Sequence, residues 1–417
     1  MKILVSAYAC DPYRGSEPGV GWDAVCRIAR RHNVYVLTDD HNRAGWEKAA
    51  EEQIIPDHVQ VRFIRREKPC SHNRFIAHLQ SWLSYRAFTG LVLEAAEKWH
   101  QKEGFDLCHQ VTVAAWRMPS PLWRLPIPFV WGPIGGAGYI PPAFRGMLSV
   151  SARLFERLRD FNTLLTMRSS AFRNCIRQTA FVFAANEETE LLLKPFRGER
   201  PMARLPIASI SQEKAEKFLR NQESATMNGP LRLFAGGNLE GRKAVSLALR
   251  ALAIVKANGV DFHYTLAGGG PEVPSLRKLC NTLGLDDCVE FHPGYRGDDY
   301  IAALQRSHVY LLPSFRESTP VTLLEAYLAG CYPVVADTSA QGEIVRLVGG
   351  TAVPVNDMES LIQGLADAVI RCDQTRDSLP AVVEKARQSL LQHFDSNRYD
   401  QVIADAYQIA LNRNVEC

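Results

Sequence analysis

The chain contains 417 residues, of which 46% are hydrophobic and 22% are charged. This composition excludes disordered and fibrous proteins, and the net charge of +3 is too small to indicate nucleic-acid binding. At roughly 100–200 residues per domain, the length predicts two domains.

The N-terminal residues, the apolar runs and the cysteines together predict a cytoplasmic protein. Residues 1–5 read as a first strand and not as a secretory signal, and no apolar run is long enough to cross a bilayer. The ten cysteines are scattered without a C-x-x-C pair, which is typical of reduced, buried thiols. No Asp-x-Asp or H-E-x-x-H pair predicts a metal site.

The first half alternates short β-branched runs with helical stretches. Several runs are apolar throughout, as expected for strands that are buried on both faces of a parallel sheet. The predicted strands span residues 2–8, 33–38, 59–64, 129–132 and 181–184.

A glycine-rich loop with Gly15, Glu17 and Gly19 precedes a predicted helix over 23–31. Such a loop can bring backbone amides close to phosphate, and it can equally be a flexible surface loop. If it lines a cleft, Glu17 would face the acceptor or phosphates.

His109 ends a likely strand over residues 107–110, so we expect it at a carboxyl edge that faces the cleft. A packed, hydrogen-bonded histidine is the alternative. In a second register, Val111 would occupy the same place.

Two stretches, residues 64–85 and 141–177, mix arginines with large apolar side chains. Basic amphipathic helices of this kind can lie on an anionic membrane and reach a lipid-linked acceptor. An ordinary solvated helix face is the competing interpretation.

The alternation of strand and helix restarts after a polar segment that ends in Gly-Pro. We therefore predict an α/β fold with two doubly wound, Rossmann-like domains that face each other across a cleft. The predicted boundaries are an acceptor-binding domain over 1–210, a linker over 211–230, a nucleotide-sugar-binding domain over 231–378, and helices over 379–417 that pack back toward the first domain.

The most informative stretch is residues 312–326, where a strand, a short loop and a helix follow each other. We predict Thr319 as the N-cap and Pro320 as the first helical residue, which leaves the N–H groups of Val321 and Thr322 free to bind a diphosphate. Glu325 would then reach ribose hydroxyls and Glu317 would lie on the sugar side. Favourable interaction of a glutamate with the helix dipole is an alternative reason for such residues.

This E-x7-E pattern, followed by residues 326–336, resembles the signature of retaining glycosyltransferases of family 4, which have the GT-B fold. Residues 266–271, 283–291 and 341–345 agree with that family in order and spacing. The resemblance covers nearly all of the second domain.

The resemblance implies roles for individual residues. It makes Glu317, Lys243 and His109 the catalytic candidates, with Lys243 holding the diphosphate and Glu325 binding the ribose. The family's diphosphate arginine falls on Gly237 or Asn238 here, and Arg242 can substitute for it. The remaining donor-binding candidates are Val321, Thr322, Gly269, Tyr295 and Arg296.

The implied activity is metal-independent transfer of a hexose, with retention of configuration and without a cofactor. The donor is a nucleoside-diphosphate sugar, UDP- or GDP-linked, and the acceptor is a hydroxyl of a glycan or lipid-linked saccharide. Two alternatives stay open: a nucleotide-sugar epimerase of GT-B architecture and a non-catalytic nucleotide-sugar-binding subunit. A dehydrogenase is less favoured, because the glycine turn at 268–270 lacks the G-x-G-x-x-G spacing.

Overall fold

The computed structural model describes residues 1–15, 17–65, 74–220, 228–295 and 297–413, with only the backbone described at 74–84, 86, 151 and 413. Two parallel sheets organise the chain, one with seven strands and one with six. Helices cover both faces of each sheet, so the predicted pair of doubly wound α/β domains is confirmed.

The first sheet has the strand order β3-β2-β1-β4-β5-β6-β7. Its strands are β1 (Lys2–Ala7), β2 (Asn33–Asp39), β3 (Val59–Ile64), β4 (Leu107–Thr112), β5 (Phe129–Ile134), β6 (Phe181–Ala184) and β7 (Met202–Arg204). The helices of this part are α1 (Glu17–Ala29), α2 (Arg43–Glu51), α3 (Arg74–Glu103), α4 (Val150–Arg168), α5 (Ser170–Gln178) and α6 (Glu187–Arg197).

After α7 (Gln212–Leu219), the second sheet has the order β10-β9-β8-β11-β12-β13. Its strands are β8 (Leu231–Gly236), β9 (Phe262–Ala267), β10 (Val289–His292), β11 (Val309–Leu312), β12 (Tyr332–Ala336) and β13 (Thr351–Val353). The helices are α8 (Val245–Ala257), α9 (Val273–Thr282), α10 (Gly297–Gln305), α11 (Val321–Ala329), α12 (Ser339–Val348), α13 (Met358–Gln374), α14 (Leu379–His393) and α15 (Ser396–Arg413).

The topology places a ligand site in each sheet at a predictable point. In both domains the winding direction reverses between two adjacent strands, β1 and β4 in the first and β8 and β11 in the second. Loops that follow these strands separate from each other and leave a crevice at the carboxyl edge, where doubly wound sheets bind ligands. The apolar strands themselves are closed to water: every side chain of β4, β5, β6 and β11 is buried.

The segment between the domains contains more structure than a linker requires. Helix α7, within the predicted linker, packs against α11, and its Ala215 and Phe218 belong to the apolar core of the second domain. Residues 221–227 lie outside the described part of the chain.

The two C-terminal helices go to different domains. Helix α14 packs on α11 and α12 of the second domain, whereas α15 packs on β5 and β6 of the first. Residues Ile210 and Asp395, one from each crossing between the domains, pair as a parallel β-bridge.

Helix α1 begins earlier than its glycines predict. It starts at Glu17, so Gly19 and Gly21 lie inside the first turns and not in a loop. Close packing explains Gly21, because a Cβ there would lie 2.0 Å from the carbonyl oxygen of Ala9. Helix α1 therefore approaches the end of β1 more closely than any larger residue would allow.

Candidate donor site and interdomain cleft

A buried cluster of charge lies where the loops after β8 and β11 meet. Glu317 accepts from Lys243 Nζ at 2.6 Å and from Arg242 at 3.0 Å, and the Ser314 hydroxyl donates to it at 2.8 Å. Only 9% of the side chain of Glu317 and of Lys243 is exposed. Burial alone raises the pKa of Glu317, but the charges of Lys243 and Arg242 outweigh it and hold that pKa below its ordinary value. The carboxylate is therefore ionised and binds both cations.

Arg242 also ties the two loops together. It pairs with Glu240 at 3.0 Å and donates to the carbonyl oxygen of Arg316 at 2.9 Å, while its own carbonyl accepts from the N–H of Phe315. The predicted diphosphate residues Arg242 and Lys243 are thus brought together with Glu317, although neither sequence spacing nor composition shows this pairing.

The tip of α11 lies beside this cluster. The hydroxyl of buried Tyr310 contacts the Thr322 hydroxyl at 2.6 Å, and the charge of Glu317 helps to raise the pKa of that tyrosine after burial. Within the described residues, no acceptor is bonded to the backbone N–H of Val321 or Thr322. These N–H groups at the positive end of a helix can bind an anion.

The predicted cap of α11 is wrong by one residue. The helix begins at Val321, with Pro320 in the cap position and no side-chain cap bond. Thr319 faces the other domain instead, where its hydroxyl accepts from the N–H of Ile207 at 3.0 Å. The Thr319 hydroxyl, which local sequence rules predict as a helix cap, therefore forms a contact between the domains instead.

Glu325 lies one turn further along α11 and is partly exposed. Lys214 of α7 donates to its carboxylate at 2.8 Å. The Tyr300 hydroxyl is close to both Glu325 and the end of β8: a Cβ on Gly236, the last residue of β8, would be 3.2 Å from it, and the charge of Glu325 adds to burial in raising the pKa of Tyr300. The carboxylate therefore lies near the carboxyl end of β8, and Lys214 is a partner that the sequence does not reveal.

Glycine turns form the floor of this edge. Gly237 adopts φ +118° next to the Lys243 ammonium, and Gly268 packs so closely on Gly237 that a Cβ would lie 2.0 Å from its carbonyl oxygen. Gly269 has open space around it. Tyr295 stacks on His292 with 3.6 Å between ring centroids, and Arg296 lies outside the described residues.

The first domain contributes a wall that the sequence did not assign to the site. Asn186, two residues after the end of β6, donates to the carbonyl oxygen of Glu317 at 3.2 Å. The Ser339 hydroxyl lies 2.7 Å from the same oxygen and 3.0 Å from the Glu188 carboxylate. Burial raises the pKa of Glu188. The sequence feature that could have revealed Asn186 and Glu188 is their position after a strand, at the same edge of the sheet as the other loops of the site.

A second glycine loop of the first domain abuts the E-x7-E motif. A Cβ on Gly135 would lie 2.5 Å from the Ser318 hydroxyl, and one on Gly138 would lie 2.7 Å from the Glu188 carboxylate. The two domains therefore contact each other directly at the motif.

His109 does not face the cleft, so its predicted position is wrong, and the packed, hydrogen-bonded alternative describes it. The side chain is 1% exposed, with one ring nitrogen 2.7 Å from the Tyr407 hydroxyl and the other 2.7 Å from the Gly132 carbonyl oxygen. Burial lowers the pKa of His109 to about 4. Helix α15 covers this strand end. Val111 is also buried, at 3% exposure, so the alternative register does not bring a cleft residue here either.

Glu17 lies at the crevice of the first sheet. Its carboxylate accepts from the N–H of Ala114 at 2.8 Å, and Ala114 follows β4. Burial raises the pKa of Glu17, against the hydrogen bond from Ala114, which lowers it. Gly15 has open space around it, whereas Gly19 packs on the carbonyl oxygen of Arg14. Of this predicted loop, Glu17 and Gly15 lie at the carboxyl edge and Gly19 lies in a helix.

Two kinds of site have no candidate in the described parts of the chain. Over those ranges, no group of three or more His, Cys, Asp or Glu side chains is placed to hold a metal ion. Over the same ranges, no helix combines the length and apolar character that crossing a membrane requires.

Comparison with known sequences finds similarity mainly in the second domain. Residues 216–381 match the family described as glycosyl transferases group 1. The putative colanic acid biosynthesis glycosyltransferase WcaL of Salmonella typhimurium is 32% identical over 187 residues, which is 43% of this chain. The alignment spans 45% of that relative, less than half of its length.

Comparison with solved structures covers the whole chain. Sucrose-phosphate synthase from Thermosynechococcus elongatus superposes with a TM-score of 0.66 at 16% identity, over 98% of each chain. HepE of Anabaena, solved with UDP and glucose, superposes with a TM-score of 0.62 at 16% identity, over 98% of this chain and 99% of its own. The chain therefore has the fold of the GT-B glycosyltransferases, and its second domain is similar to glycosyl transferases group 1.

Proposed function

We propose that the chain is a glycosyltransferase that moves a hexose from a nucleoside-diphosphate sugar to a hydroxyl of a glycan or lipid-linked acceptor. Configuration at the anomeric carbon is retained and no metal ion is needed. The observation that carries the proposal is the meeting of Lys243, Arg242 and two open helix-tip N–H groups at the switch point between β8 and β11.

The chemistry of this cluster suits a departing diphosphate. Charge grows on the leaving oxygen as the glycosidic bond breaks, and fixed cations and amides that interact more strongly with that charge lower the barrier. Because these groups supply positive charge themselves, the proposal requires no divalent ion.

The pairing of Lys243 and Arg242 with Glu317 suits exchange of one anion for another. In the absence of ligand, Glu317 neutralises Lys243, which would otherwise be buried without a charged partner, a costly arrangement, and it shares Arg242 with Glu240. A diphosphate that enters takes over these donors and leaves the Glu317 carboxylate next to the sugar. Glu325 then binds the ribose through charge-assisted hydrogen bonds, after it releases Lys214.

The names of similar proteins support the substrate class. The WcaL relative is named for colanic acid biosynthesis, and HepE was solved with UDP and glucose. We extend from these to synthesis of a polysaccharide in the cytoplasm from a UDP- or GDP-linked sugar.

The test separates diphosphate binding from ribose binding. Calorimetric titration with UDP, GDP and inorganic pyrophosphate should show that Lys243→Ala weakens all three, whereas Glu325→Ala weakens only the two nucleotides. Removal of one charge-assisted bond corresponds to roughly 1.5–3 kcal/mol, or about 10- to 150-fold in affinity. Lys256→Ala is the matched control, because Lys256 is also ion-paired in the second domain but pairs with Asp287 at 2.7 Å on the surface.

Transfer of label from the donor to glycan and lipid extracts completes the test. Both Lys243→Ala and Glu325→Ala should reduce transfer severely in folded protein. Wild-type affinity and transfer in both variants would refute the proposal, and turnover of the donor alone into an isomer would replace it with an epimerase.

A further inference from the structure

Helix α4 presents an apolar surface to solvent. Along its length, six large apolar side chains are between 45% and 76% exposed, at steps of three or four residues up to the adjacent pair that ends the series: Val150, Leu154, Leu158, Phe161, Leu164 and Leu165. We call this surface the α4 outer face. An ordinary surface helix turns such a stripe toward the core. Contiguous exposed apolar patches mark sites of interaction with another protein or with a membrane.

Polar contacts on the opposite side of α4 fix this orientation. Buried Glu156 forms an ion pair with Arg316 at 2.8 Å, and Arg159 donates to the carbonyl oxygens of Gly136 and Gly138 at 2.9 and 2.6 Å. Thr163 accepts from Arg117 at 2.8 Å. Rotation of the helix to hide its apolar stripe would break all of these bonds, leave Arg316 without Glu156 and turn the exposed Arg153 toward the interior. The exposure of the outer face is therefore built into the fold.

Cationic side chains are interleaved with the apolar ones. Arg153, Arg157 and Arg168 are exposed and, at 3.6 residues per turn, fall on the same side of the helix as Phe161. Asp160, at the edge of the face, is paired with Arg145 at 2.7 Å. The face thus combines apolar side chains with a net positive charge, which is the combination that binds anionic lipid surfaces.

The same charges argue against a second copy of the chain as the occupant. In a symmetric dimer each patch meets itself, so the arginines of one copy would oppose those of the other. An anionic lipid surface complements them instead.

We propose that the α4 outer face docks on an anionic lipid surface. The proposal deepens the proposed function, on which it rests for the acceptor, because the inner side of α4 contacts the glycine loop that abuts Ser318. A helix is about 10 Å across, so docking brings that cleft wall within about one helix diameter of the headgroups. A lipid-linked acceptor could then present its hydroxyl to the donor site without leaving the membrane.

The experiment is flotation of the full chain with vesicles of phosphatidylcholine, with and without phosphatidylglycerol, at low and high salt. Wild type should float with the anionic vesicles at low salt and less at high salt. The variants Leu158→Glu/Phe161→Glu and Arg153→Glu/Arg157→Glu should each lower partitioning by about tenfold or more, since each basic residue near such a surface contributes roughly fivefold. Matched controls with exposed side chains of the second domain, Leu347→Glu and Arg250→Glu, should float as wild type does.

Nucleotide binding, measured as the shift in melting temperature with UDP or GDP, separates this proposal from the proposed function. Face variants that lose flotation and keep the nucleotide shift support docking. If wild type floats and no nucleotide shifts its melting temperature, docking stands and the proposed function fails. Wild type that stays in the bottom, vesicle-free fraction in the presence of the anionic vesicles at low salt overturns docking. Concentration-dependent dimers that Phe161→Glu converts to monomers, without flotation, overturn it in favour of a contact between copies.

Discussion

Replacement of Glu317 by alanine should weaken the folded protein and at the same time tighten its binding of diphosphates. The substitution removes the acceptor of Lys243 at 2.6 Å and of Arg242 at 3.0 Å. Loss of one partner from a buried ion pair costs about 3–5 kcal/mol, and we expect the lower end because Arg242 keeps Glu240. At about 2–4 °C per kcal/mol, the second domain should melt roughly 6–12 °C lower.

The ligand reverses the sign of the effect. In the wild type, a diphosphate competes with Glu317 for the two cations, whereas in the variant it supplies the missing negative charge. Each 1.4 kcal/mol that is no longer spent on this competition is about tenfold in affinity. UDP or GDP should therefore raise the melting temperature of Glu317→Ala more than that of wild type, while transfer falls because the carboxylate beside the sugar is gone.

Differential scanning calorimetry with and without nucleotide measures both effects. The control is Glu343→Ala, because Glu343 is also paired with an arginine, Arg204 at 2.8 Å, but lies at a more exposed position where pairs contribute about 0–1 kcal/mol. Equal melting of the two variants, together with no larger nucleotide shift in Glu317→Ala, would refute the reasoning about the buried cluster.

Three further outcomes follow from single residues. The charges of Lys243 and Arg242 hold the pKa of Glu317 below the ordinary 4.5, so the ionised Glu317 contributes stability above that pH and loses it on acidification. The difference in unfolding free energy between wild type and Glu317→Gln, measured with urea, should therefore shrink as the pH falls below 4.5. A constant difference contradicts this. Burial lowers the pKa of His109 to about 4, so between pH 6.5 and 4 the unfolded chain binds a proton that the folded chain does not. The free energy of unfolding therefore falls by about 3 kcal/mol over this range. His109→Gln should flatten this part of the dependence of unfolding free energy on pH and leave nucleotide binding unchanged. Phe144 is fully buried against Phe315, with ring centroids 4.7 Å apart, so Phe144→Ala should cost about 3–5 kcal/mol in guanidinium unfolding, whereas Phe161→Ala at a 60% exposed position should cost far less.

The strands were predicted well where a β-branched or apolar run extends over at least four residues, whether both faces are buried, as in β6, or not, as in β3. The predicted limits of β3 and β6 agree with the structure to the residue. The edge strands β7 and β13 escaped prediction, because three residues are too few to show a period. Local pattern is thus sufficient for the longer strands, including β3 at the edge of its sheet, and insufficient for strands of three residues.

Site residues were predictable as positions and not as partners. Lys243, Glu317 and Glu325 lie in the segments that follow β8 and β11, which the sequence shows, but the pairs Lys243–Glu317 and Lys214–Glu325 join residues 74 and 111 positions apart. His109 failed for the same reason, since the helix that buries it lies 298 residues later. A strand end can be assigned to an edge from local pattern, whereas what covers that edge depends on the tertiary fold.

The stretch over 141–177 was predicted as an amphipathic helix, and the structure shows which side of it faces solvent. It forms a short 3-10 helix over Pro142–Met147, followed by α4 and α5. The other stretch, over 64–85, falls mostly on residues or side chains outside the described part of the chain.

The bridge between Ile210 and Asp395 has a mechanical consequence. The chain passes from one domain to the other near Ile210 and returns near Asp395, and a backbone hydrogen bond of 2.8 Å from Ile210 to Phe394 holds the two passages side by side. Because the two segments are bonded to each other at one point, we expect the domains to rotate about that point more easily than they twist or slide relative to each other. Shortening either segment would restrict this rotation, although the two segments lie almost two hundred residues apart along the chain.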